Sequence, residues 1–338
     1  MTTSIIGYPR IGAQRELKFA TEKFFKKELS EADLQAVAAT QRQANWQKQA
    51  AAGIDFIASN DFSFYDTTLD TAFALNIVPK RYQELAVSPL ERYFAAARGH
   101  QSEAGDVKAL AMKKWFNTNY HYMVPEFDDG TEIKLDLTKL LSEYREALAL
   151  GITTKPVLIG PFTLLKLIRF TGQTQLSDVQ EDFVKAYSEI LSVLATEEVA
   201  WLQLDEPGLV FDLTESDIHL FKAIYTALLP QKQTVKVLLQ TYFGDVRDVY
   251  SDLIQLDFDG IGLDFVEGRK TAELIQTHGF PADKKLFAGV VNGKNIWRND
   301  YQKTLEILQT SPKDSLIIST CCSLQHVPYT VSAEPELP

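Results

Sequence analysis

The 338-residue sequence has little cysteine, little positive charge and no long apolar segment, and each shortage excludes a class of protein. Its two cysteines, the adjacent Cys321 and Cys322, are too few for a disulfide framework and favour a reducing cytoplasm. A net charge of -11 argues against a nucleic-acid partner, which requires a basic face. No apolar run approaches the roughly 18 residues of a membrane span, and the N-terminus lacks a secretory-signal pattern. We therefore expect no nucleic acid and no membrane as partners.

Motifs for metals and nucleotides are also missing. None of the five histidines stands in a His-x-x-x-His or His-x-Cys spacing, so the sequence predicts no metal site. Neither a Gly-x-Gly-x-x-Gly nor a Gly-x-x-x-x-Gly-Lys loop occurs, which leaves dinucleotide and P-loop binding unsupported. Apolar Ile317 and Ile318 precede the cysteine pair, and we interpret the pair as buried, inert thiols rather than as nucleophiles.

What the sequence does contain is an alternation of short β-rich runs with longer helical periods. The apolar runs lie at residues 5–7, 54–57, 120–124, 156–159, 200–204, 235–239, 260–265, 286–291 and 316–318. Strand–helix alternation predicts parallel pairing, and this many units predict an α/β fold of the (β/α)8 TIM-like barrel type. A doubly wound open sheet is the alternative. Nine runs compete for eight barrel positions, and the aromatic alternation of residues 120–124 marks that run as the extra one.

Two segments depart from the alternation. Residues 62–127 contain Pro79, Pro89, Gly99 and Gly105 and short helical pieces, which predicts an irregular insertion after the second strand. Residues 321–338 are too few and too rich in proline for the closing helix that a barrel unit needs, which is about ten residues or more. We therefore expect residues 1–338 to form one barrel domain of a longer polypeptide.

The N-terminal segment predicts a strand, a loop and a helix. An apolar run stops at Gly7, Pro9 and Gly12 forbid regular structure, and a helical stretch begins near Arg15. Arg15 and Lys18 lie at this junction, where the backbone N–H groups of the first helical turn are unpaired and the helix dipole is positive. The junction can hold an anionic ligand, and the alternative interpretation is an ordinary solvated first turn.

Polar residues follow the apolar runs, where a barrel presents its active face. Asp205 and Glu206 follow the fifth run, and two carboxylates on a strand end could serve as general acid and base. Neighbouring side chains point in different directions, however, so one of the two would instead cap a loop or bind an arginine. A hydrolase that uses both residues stays open as an alternative function.

A third candidate is the aromatic and basic stretch at residues 113–122, with the sequence KKWFNTNYHY. Cations beside flat rings suit an anionic ligand that carries a ring. An aromatic core segment flanked by snorkelling lysines explains the same composition, and composition alone leaves both interpretations open.

These stretches resemble one family. The N-terminal GYPRIG with Arg15-Glu16-Leu17-Lys18 is similar to the N-terminus of cobalamin-independent methionine synthases. Further similar segments follow in the same order over essentially the whole chain: residues 61–66, 114–122, 205–207, 289–293 and 323–324. The resemblance implies a two-barrel enzyme that moves a methyl group from 5-methyltetrahydropteroyltri-L-glutamate to homocysteine without cobalamin. This chain resembles its N-terminal barrel.

The resemblance also implies a division of labour between the two barrels. Zinc, its ligands and the catalytic histidine belong to the C-terminal barrel, which is absent from this sequence, so we expect no catalytic residue and no metal ligand here. Where the catalytic barrel has His-x-Cys, this chain carries residues 241–243 (TYF), and Asp264 stands where that barrel has glutamate. One surviving thiol, Cys322, cannot hold zinc.

The family's implication for this half is recognition of the folate polyglutamate tail. Arg15, Glu16, Leu17, Lys18 and Lys114 occupy the matching positions. The charges agree, because a triglutamate carries several carboxylates, whereas Glu16 and Leu17 are expected to contribute backbone groups. The isolated barrel is expected to be inactive, and a purely structural domain that braces a catalytic partner remains a further alternative.

Overall fold

The computed structural model describes residues 2–103 and 105–333. The strands are β1 (Thr2–Ser4), β2 (Ile57–Ser59), β3 (His100–Ser102), β4 (Gly105–Val107), β5 (Met112–Lys114), β6 (His121–Met123), β7 (Glu126–Phe127), β8 (Thr154–Ile159), β9 (Arg169–Phe170), β10 (Trp201–Asp205), β11 (Lys236–Gln240), β12 (Gly260–Asp264), β13 (Lys285–Val291) and β14 (Leu316–Thr320). The α-helices are α1 (Glu16–Phe25), α2 (Glu31–Ala51), α3 (Thr67–Ala74), α4 (Lys80–Gln83), α5 (Pro89–Arg98), α6 (Thr138–Ala149), α7 (Pro161–Leu167), α8 (Leu176–Thr196), α9 (Glu215–Leu228), α10 (Tyr250–Leu253), α11 (Thr271–His278) and α12 (Tyr301–Thr310).

Eight parallel strands form the barrel, in the order β1-β14-β13-β12-β11-β10-β8-β2. The ring closes through a single parallel bridge between Ser4 and Phe56. At this bridge the Ile5 N–H donates to the Phe56 carbonyl at 3.3 Å, and the Phe56 N–H donates to the Thr3 carbonyl at 3.0 Å. The predicted TIM-like barrel is therefore confirmed, and the open sheet is not observed.

Two of the predicted strands are displaced by about three residues. The run at 5–7 follows β1 rather than forming it, and the run at 54–57 precedes most of β2. Ile5 and Ile6 are buried at 8% and 2% exposure, so their apolar character reflects packing beyond the end of the strand and not strand pairing. The extra run at 120–124 contains β6, which pairs with β5 in an antiparallel hairpin outside the barrel, as predicted.

Helix boundaries follow local capping signals. Ser30 accepts the Asp33 N–H at the start of α2, and Thr214 forms a reciprocal capping box with Asp217 at the start of α9. Gly151, with φ of 74°, follows α6 in the left-handed conformation expected after a helix. Within the described residues, no helix has the length and apolar character needed to cross a membrane.

The irregular insertion after β2 is also observed. It contains α3 to α5 and the hairpins β3–β4 and β5–β6, and irregular backbone continues past the predicted boundary to Leu137. Its own apolar cluster joins the insertion to α1 and α2, with the rings of Phe25 and Phe94 4.9 Å apart. The insertion thereby fixes α1, the helix that carries the N-terminal cations.

Candidate functional site

The loop after β1 is held rigidly on both sides. The Tyr8 N–H donates to Asp61 Oδ2 at 2.8 Å, and Asn45 Nδ2 donates to the Pro9 carbonyl at 3.0 Å. The Arg10 guanidinium donates to the carbonyls of Ser63 and Tyr65. These contacts fix the approach to α1 before any ligand binds, which lowers the entropic cost of binding.

The start of α1 leaves several donors free. Arg15 adopts the left-handed conformation with φ of 62°, and no side chain caps the helix. Among the described residues, the backbone N–H groups of Glu16 and Lys18 have no acceptor, whereas the Leu17 N–H donates to the Ile11 carbonyl at 3.3 Å. Within the same described part of the chain, the exposed Arg15 guanidinium forms no ion pair or hydrogen bond. Such an array of positive, unpaired groups favours an anion.

Glu16 and Leu17 have internal roles. Glu16 Oε2 accepts the Gln14 N–H at 3.0 Å and lies 2.0 Å from where a Cβ on Gly12 would stand. Because Gly12 also has a positive φ of 83°, only glycine fits this turn without strain. Leu17 is buried against Ala38. The assignment of ligand-binding backbone groups to Glu16 and Leu17 stays a prediction.

Arg15 and Lys18 line a cleft of about 670 Å³. One wall comes from the loop after β1 and from α1, a second from the β5–β6 hairpin, and a third from the chain after β14. Its lining residues are Pro9–Ala13, Arg15, Leu17, Lys18, Thr21, Glu22, Phe25, Phe64, Tyr65, Met112, Asn119–His121, Gln325 and Val327–Thr330. Lys18 is exposed, and its Nζ lies 3.8 Å from Glu22 Oε1.

Lys114 stands at the edge of this cleft rather than in its lining. It is exposed at the end of β5, directly opposite His121, which does line the cleft. Met112 is two residues away on the same strand, so its side chain lies on the same face, and it also lines the cleft. The hairpin thus places the third predicted cation beside residues that line the same cleft as the other two.

The segment at residues 113–122 combines both interpretations left open by its composition. Trp115 and Tyr122 are buried in the main core, at 6% exposure each. Tyr120 and His121 are exposed and line the cleft. The core interpretation therefore holds for the two buried rings, whereas Asn119, Tyr120 and His121 contribute to the lining of the cleft.

The sequence analysis missed the wall formed by residues 327–330. Tyr329 donates its hydroxyl to Asn45 Oδ1 at 3.0 Å, and Lys48 Nζ lies 4.5 Å from the centre of its ring. The same Asn45 also holds the Pro9 carbonyl. No local signal announces this contact, because the partners are 284 positions apart in the chain.

Across the barrel mouth, the carboxylates are buried and already bonded. Glu206 is fully buried and accepts the N–H groups of Phe162 at 3.0 Å and Thr163 at 2.6 Å, together with the Tyr225 hydroxyl. It therefore caps α7, which confirms that one carboxylate of the pair serves a loop or helix end. Asp205 accepts Gln203 Nε2 at 2.7 Å and the Tyr242 hydroxyl at 3.0 Å.

Burial dominates the electrostatics of this mouth. It raises the pKa of Asp205 and of Glu206 to about 7 and that of Asp264 to about 6. Burial also lowers the pKa of His326 to about 4, and neither of its ring nitrogens has a hydrogen-bond partner among the residues that the structure describes. With every carboxylate oxygen of the Asp205–Glu206 pair engaged by the chain itself, no open acid–base pair faces a substrate.

The residues at the family's zinc positions do not fit the metal. The Thr241 hydroxyl donates to the Gly262 carbonyl at 2.7 Å, and Asp264 accepts three backbone N–H groups. The hydrogen bond from Cys321, with burial, raises the pKa of Cys322, the opposite of what a zinc thiolate requires. In residues 2–103 and 105–333, no three His, Cys, Asp or Glu side chains converge as a metal site. Both cysteines are buried and unbridged, as predicted.

An α/β barrel with a cationic cleft at the carboxyl ends of its strands is the class of protein that these observations define. Residues 2–315 match the family described as "Cobalamin-independent synthase, N-terminal domain". The chain therefore belongs to this family, and the resemblance stated from the sequence is confirmed.

Two curated relatives carry the name 5-methyltetrahydropteroyltriglutamate–homocysteine methyltransferase. The protein of Lactococcus lactis subsp. cremoris is 54% identical over 338 residues, which cover 100% of this chain and 45% of the relative. The Streptococcus pneumoniae protein is 53% identical over 334 residues, covering 99% of this chain and 44% of the relative. The chain thus spans about half the length of these relatives.

Solved structures agree on the fold. A putative vitamin-B12 independent methionine synthase from Listeria monocytogenes superposes with a TM-score of 0.68 at 17% identity, covering 96% of this chain and 92% of that chain. A B12-independent methionine synthase from Shewanella sp. W3-18-1, in complex with selenomethionine, gives a TM-score of 0.66 at 15% identity, covering 90% and 86%. At these identities the likeness concerns the fold alone.

Proposed function

We propose that this chain is the folate-tail-binding and scaffolding half of an enzyme that methylates homocysteine from 5-methyltetrahydropteroyltri-L-glutamate. The observation that carries the proposal is the preformed cationic cleft at the start of α1. Its lining includes Arg10, Arg15 and Lys18, with Lys114 at the edge, and Glu22 is the one carboxylate among the described residues that line it.

The charge pattern suits an oligoglutamate better than a compact anion. A compact anion needs convergent donors around one point, whereas these cations are spread over a loop, a helix and a hairpin. Each γ-linked glutamate adds one carboxylate along an extended chain, so successive residues of the tail reach successive cations. The free N–H groups of Glu16 and Lys18 add donors at the positive end of α1.

In this proposal, the zinc chemistry and homocysteine belong to the rest of the longer protein. A zinc ion bound in that part would stabilise the homocysteine thiol in its thiolate form. The residues of this chain bind and orient the tail of the methyl donor and support the partner barrel, and none of them acts as a catalytic residue. The cytoplasmic location expected from the sequence stays a prediction.

Calorimetric titration of the purified chain with methyl-folate triglutamate and with the monoglutamate tests this proposal. We expect the triglutamate to bind about tenfold more tightly, because two further carboxylates each contribute about 0.5–1 kcal/mol. We also expect this advantage to shrink as salt is raised. Equal binding of both ligands, or no binding, would instead support a purely structural domain.

The hydrolase alternative has no supporting observation in the geometry. Glu206 has no exposed surface, and both of its oxygens accept hydrogen bonds from the chain. Assays of the isolated chain with glycoside or ester substrates are expected to give no turnover. Turnover that disappears in Asp205→Asn would revive this alternative.

A further inference from the structure

The two cations at the start of α1 are not equivalent. Within the described part of the chain, Arg15 has no ion-pair partner, whereas Lys18 Nζ lies 3.8 Å from Glu22 Oε1, four residues further along α1. Glu22 provides the only carboxylate among the described residues that line the cleft. Both side chains of this pair are about half exposed, at 49% and 50%, so a ligand can reach them.

Helix stability does not explain why glutamate stands at position 22. The pair runs from lysine to glutamate along the helix, which is the less favourable order for an i,i+4 pair. Glu22 also lies in the last turn of α1, where a negative charge meets the negative end of the helix dipole. This carboxylate therefore gives the helix only the weaker form of an i,i+4 ion pair, and its charge is unfavourable at this end of the helix dipole.

For a ligand in the cleft, Glu22 acts as a competitor. A ligand carboxylate that reaches Lys18 must first displace Glu22, so part of its attraction to Lys18 only replaces an ion pair that already exists. A folate monoglutamate, whose two carboxylates belong to a single glutamate, can use the unpaired Arg15 and avoid this competition. Only a ligand with several linked glutamates must meet it.

We propose that Glu22 is a specificity-determining residue, an internal counter-anion that occupies Lys18 in the empty cleft and limits the affinity for long anionic tails. The inference rests on the proposed function, since it concerns the same cleft and ligand class. The consequence is that a bound tail can dissociate readily from the cleft. Binding at Arg15 anchors the ligand, while binding at Lys18 is weakened by the competing carboxylate.

The test measures methyl-folate monoglutamate and triglutamate binding to Glu22→Gln and to wild type at low salt. We expect Glu22→Gln to bind the triglutamate about two- to threefold more tightly and the monoglutamate unchanged. Lys80 and Glu84 form a matched control, because they have the same spacing and order at 3.6 Å, are exposed, and lie outside the cleft. Glu84→Gln is expected to change neither affinity.

A double-mutant cycle distinguishes competition at Lys18 from other effects. In a Lys18→Met background, Glu22→Gln is expected to give no gain in triglutamate affinity. A gain that persists without Lys18, or no gain in the presence of Lys18, overturns the inference. The proposed function is judged separately, by wild-type triglutamate binding and its weakening in Arg15→Ala. Thermal melts of each variant confirm that the exposed substitutions leave the fold intact.

Discussion

The cleft beside α1 and the mouth over β10 and β12 lie at the same end of one barrel, yet their charged groups differ in exposure and in hydrogen bonding. Arg15 in the cleft and Lys114 at its edge are exposed and form no ion pair with any described residue. In the mouth, Glu206 and Asp264 are buried, and each accepts several hydrogen bonds from the chain. The cleft keeps its polar groups available, and the mouth uses its polar groups to hold the fold.

This difference separates charged groups that are available to a ligand from charged groups that stabilise the fold. Catalysis by a barrel mouth needs a charged group that is buried and still open to substrate. Asp205 and Glu206 satisfy the first condition and not the second, because their neighbours already occupy them. Perturbed pKa values in this mouth therefore indicate structural carboxylates, whereas the cations of the proposed tail-binding cleft are ordinary exposed ones across the rim.

The largest expected effect concerns activity, and the opposite result would contradict the structural role assigned to the mouth. We predict that the purified chain makes no methionine from homocysteine and methyl-folate. A homocysteine thiol, like free cysteine with a pKa of about 8.5, is mostly protonated at neutral pH, and no residue of this mouth activates it. Product analysis by mass spectrometry checks this, with full-length enzyme as the positive control and as the contaminant to exclude.

Metal content gives a second test of the mouth. We predict that the dialysed chain retains far less than one zinc per molecule, because Thr241 and Phe243 stand where two ligands are needed. Elemental analysis after dialysis measures this directly. Near-stoichiometric zinc would mean that the mouth keeps a metal site, and Cys322→Ser would then show whether the thiol contributes.

Substitution of Glu206 tests the structural role of the mouth. We expect Glu206→Ala to lower the free energy of unfolding by about 3 kcal/mol, since three buried donors lose their acceptor. Glu206→Gln keeps one acceptor oxygen and should cost less. Urea denaturation of both variants measures the difference, and losses below 1 kcal/mol for the alanine variant would contradict this role.

The same carboxylate predicts a pH dependence. Its pKa is about 7 in the folded chain and near 4.3 in an unfolded one, so the folded state binds more protons between these values. The free energy of unfolding should therefore fall as the pH rises from about 4.5 to 7. Glu206→Gln should make this fall shallower, while Asp66 and Asp205, also with a pKa of about 7, maintain the rest.

The smallest expected effect concerns ligand binding in the cleft. Lys18→Ala and Lys114→Ala should each weaken triglutamate binding by about 1 kcal/mol, and less at high salt, because exposed ion pairs are screened. Lys80→Ala, at an exposed lysine outside the cleft, is the matched control. Unchanged affinity in both cleft variants, or a loss independent of salt and tail length, would indicate a structural role for the two lysines.

The barrel was predictable because its determinants are local. Apolar runs, helical periods and caps such as Ser30 and Thr214 repeat along the chain and need no long-range information. The predicted position of the first strand was wrong by about three residues. Ile5 and Ile6 are buried beyond the end of β1, and in the sequence such apolar residues look like part of a buried strand. Apolar patterning reports what is buried and not which residues pair.

The candidate site was predictable only in part. The cations at the start of α1 follow from the loop-to-helix junction, and the composition of residues 113–122 indicated Lys114 without deciding between a binding site and a core segment. The wall at Tyr329 and the pairing of Asn45 with both Tyr329 and Pro9 depend on contacts between distant segments. No spacing rule along the chain contains such contacts, so they appear only when the barrel brings its first and last strands together.

The bridge between Ser4 and Phe56 gives the barrel a seam. The strands on either side of it, β1 and β2, have three residues each, whereas β13 has seven and pairs along its length on both sides. Local opening should therefore begin at this seam, and the amides of Ile5 and Phe56 should exchange with deuterium before those of β11. Because the loops after β1 and β2 both contribute lining residues to the cleft, opening at this seam is expected to loosen the cleft before the remainder of the barrel unfolds.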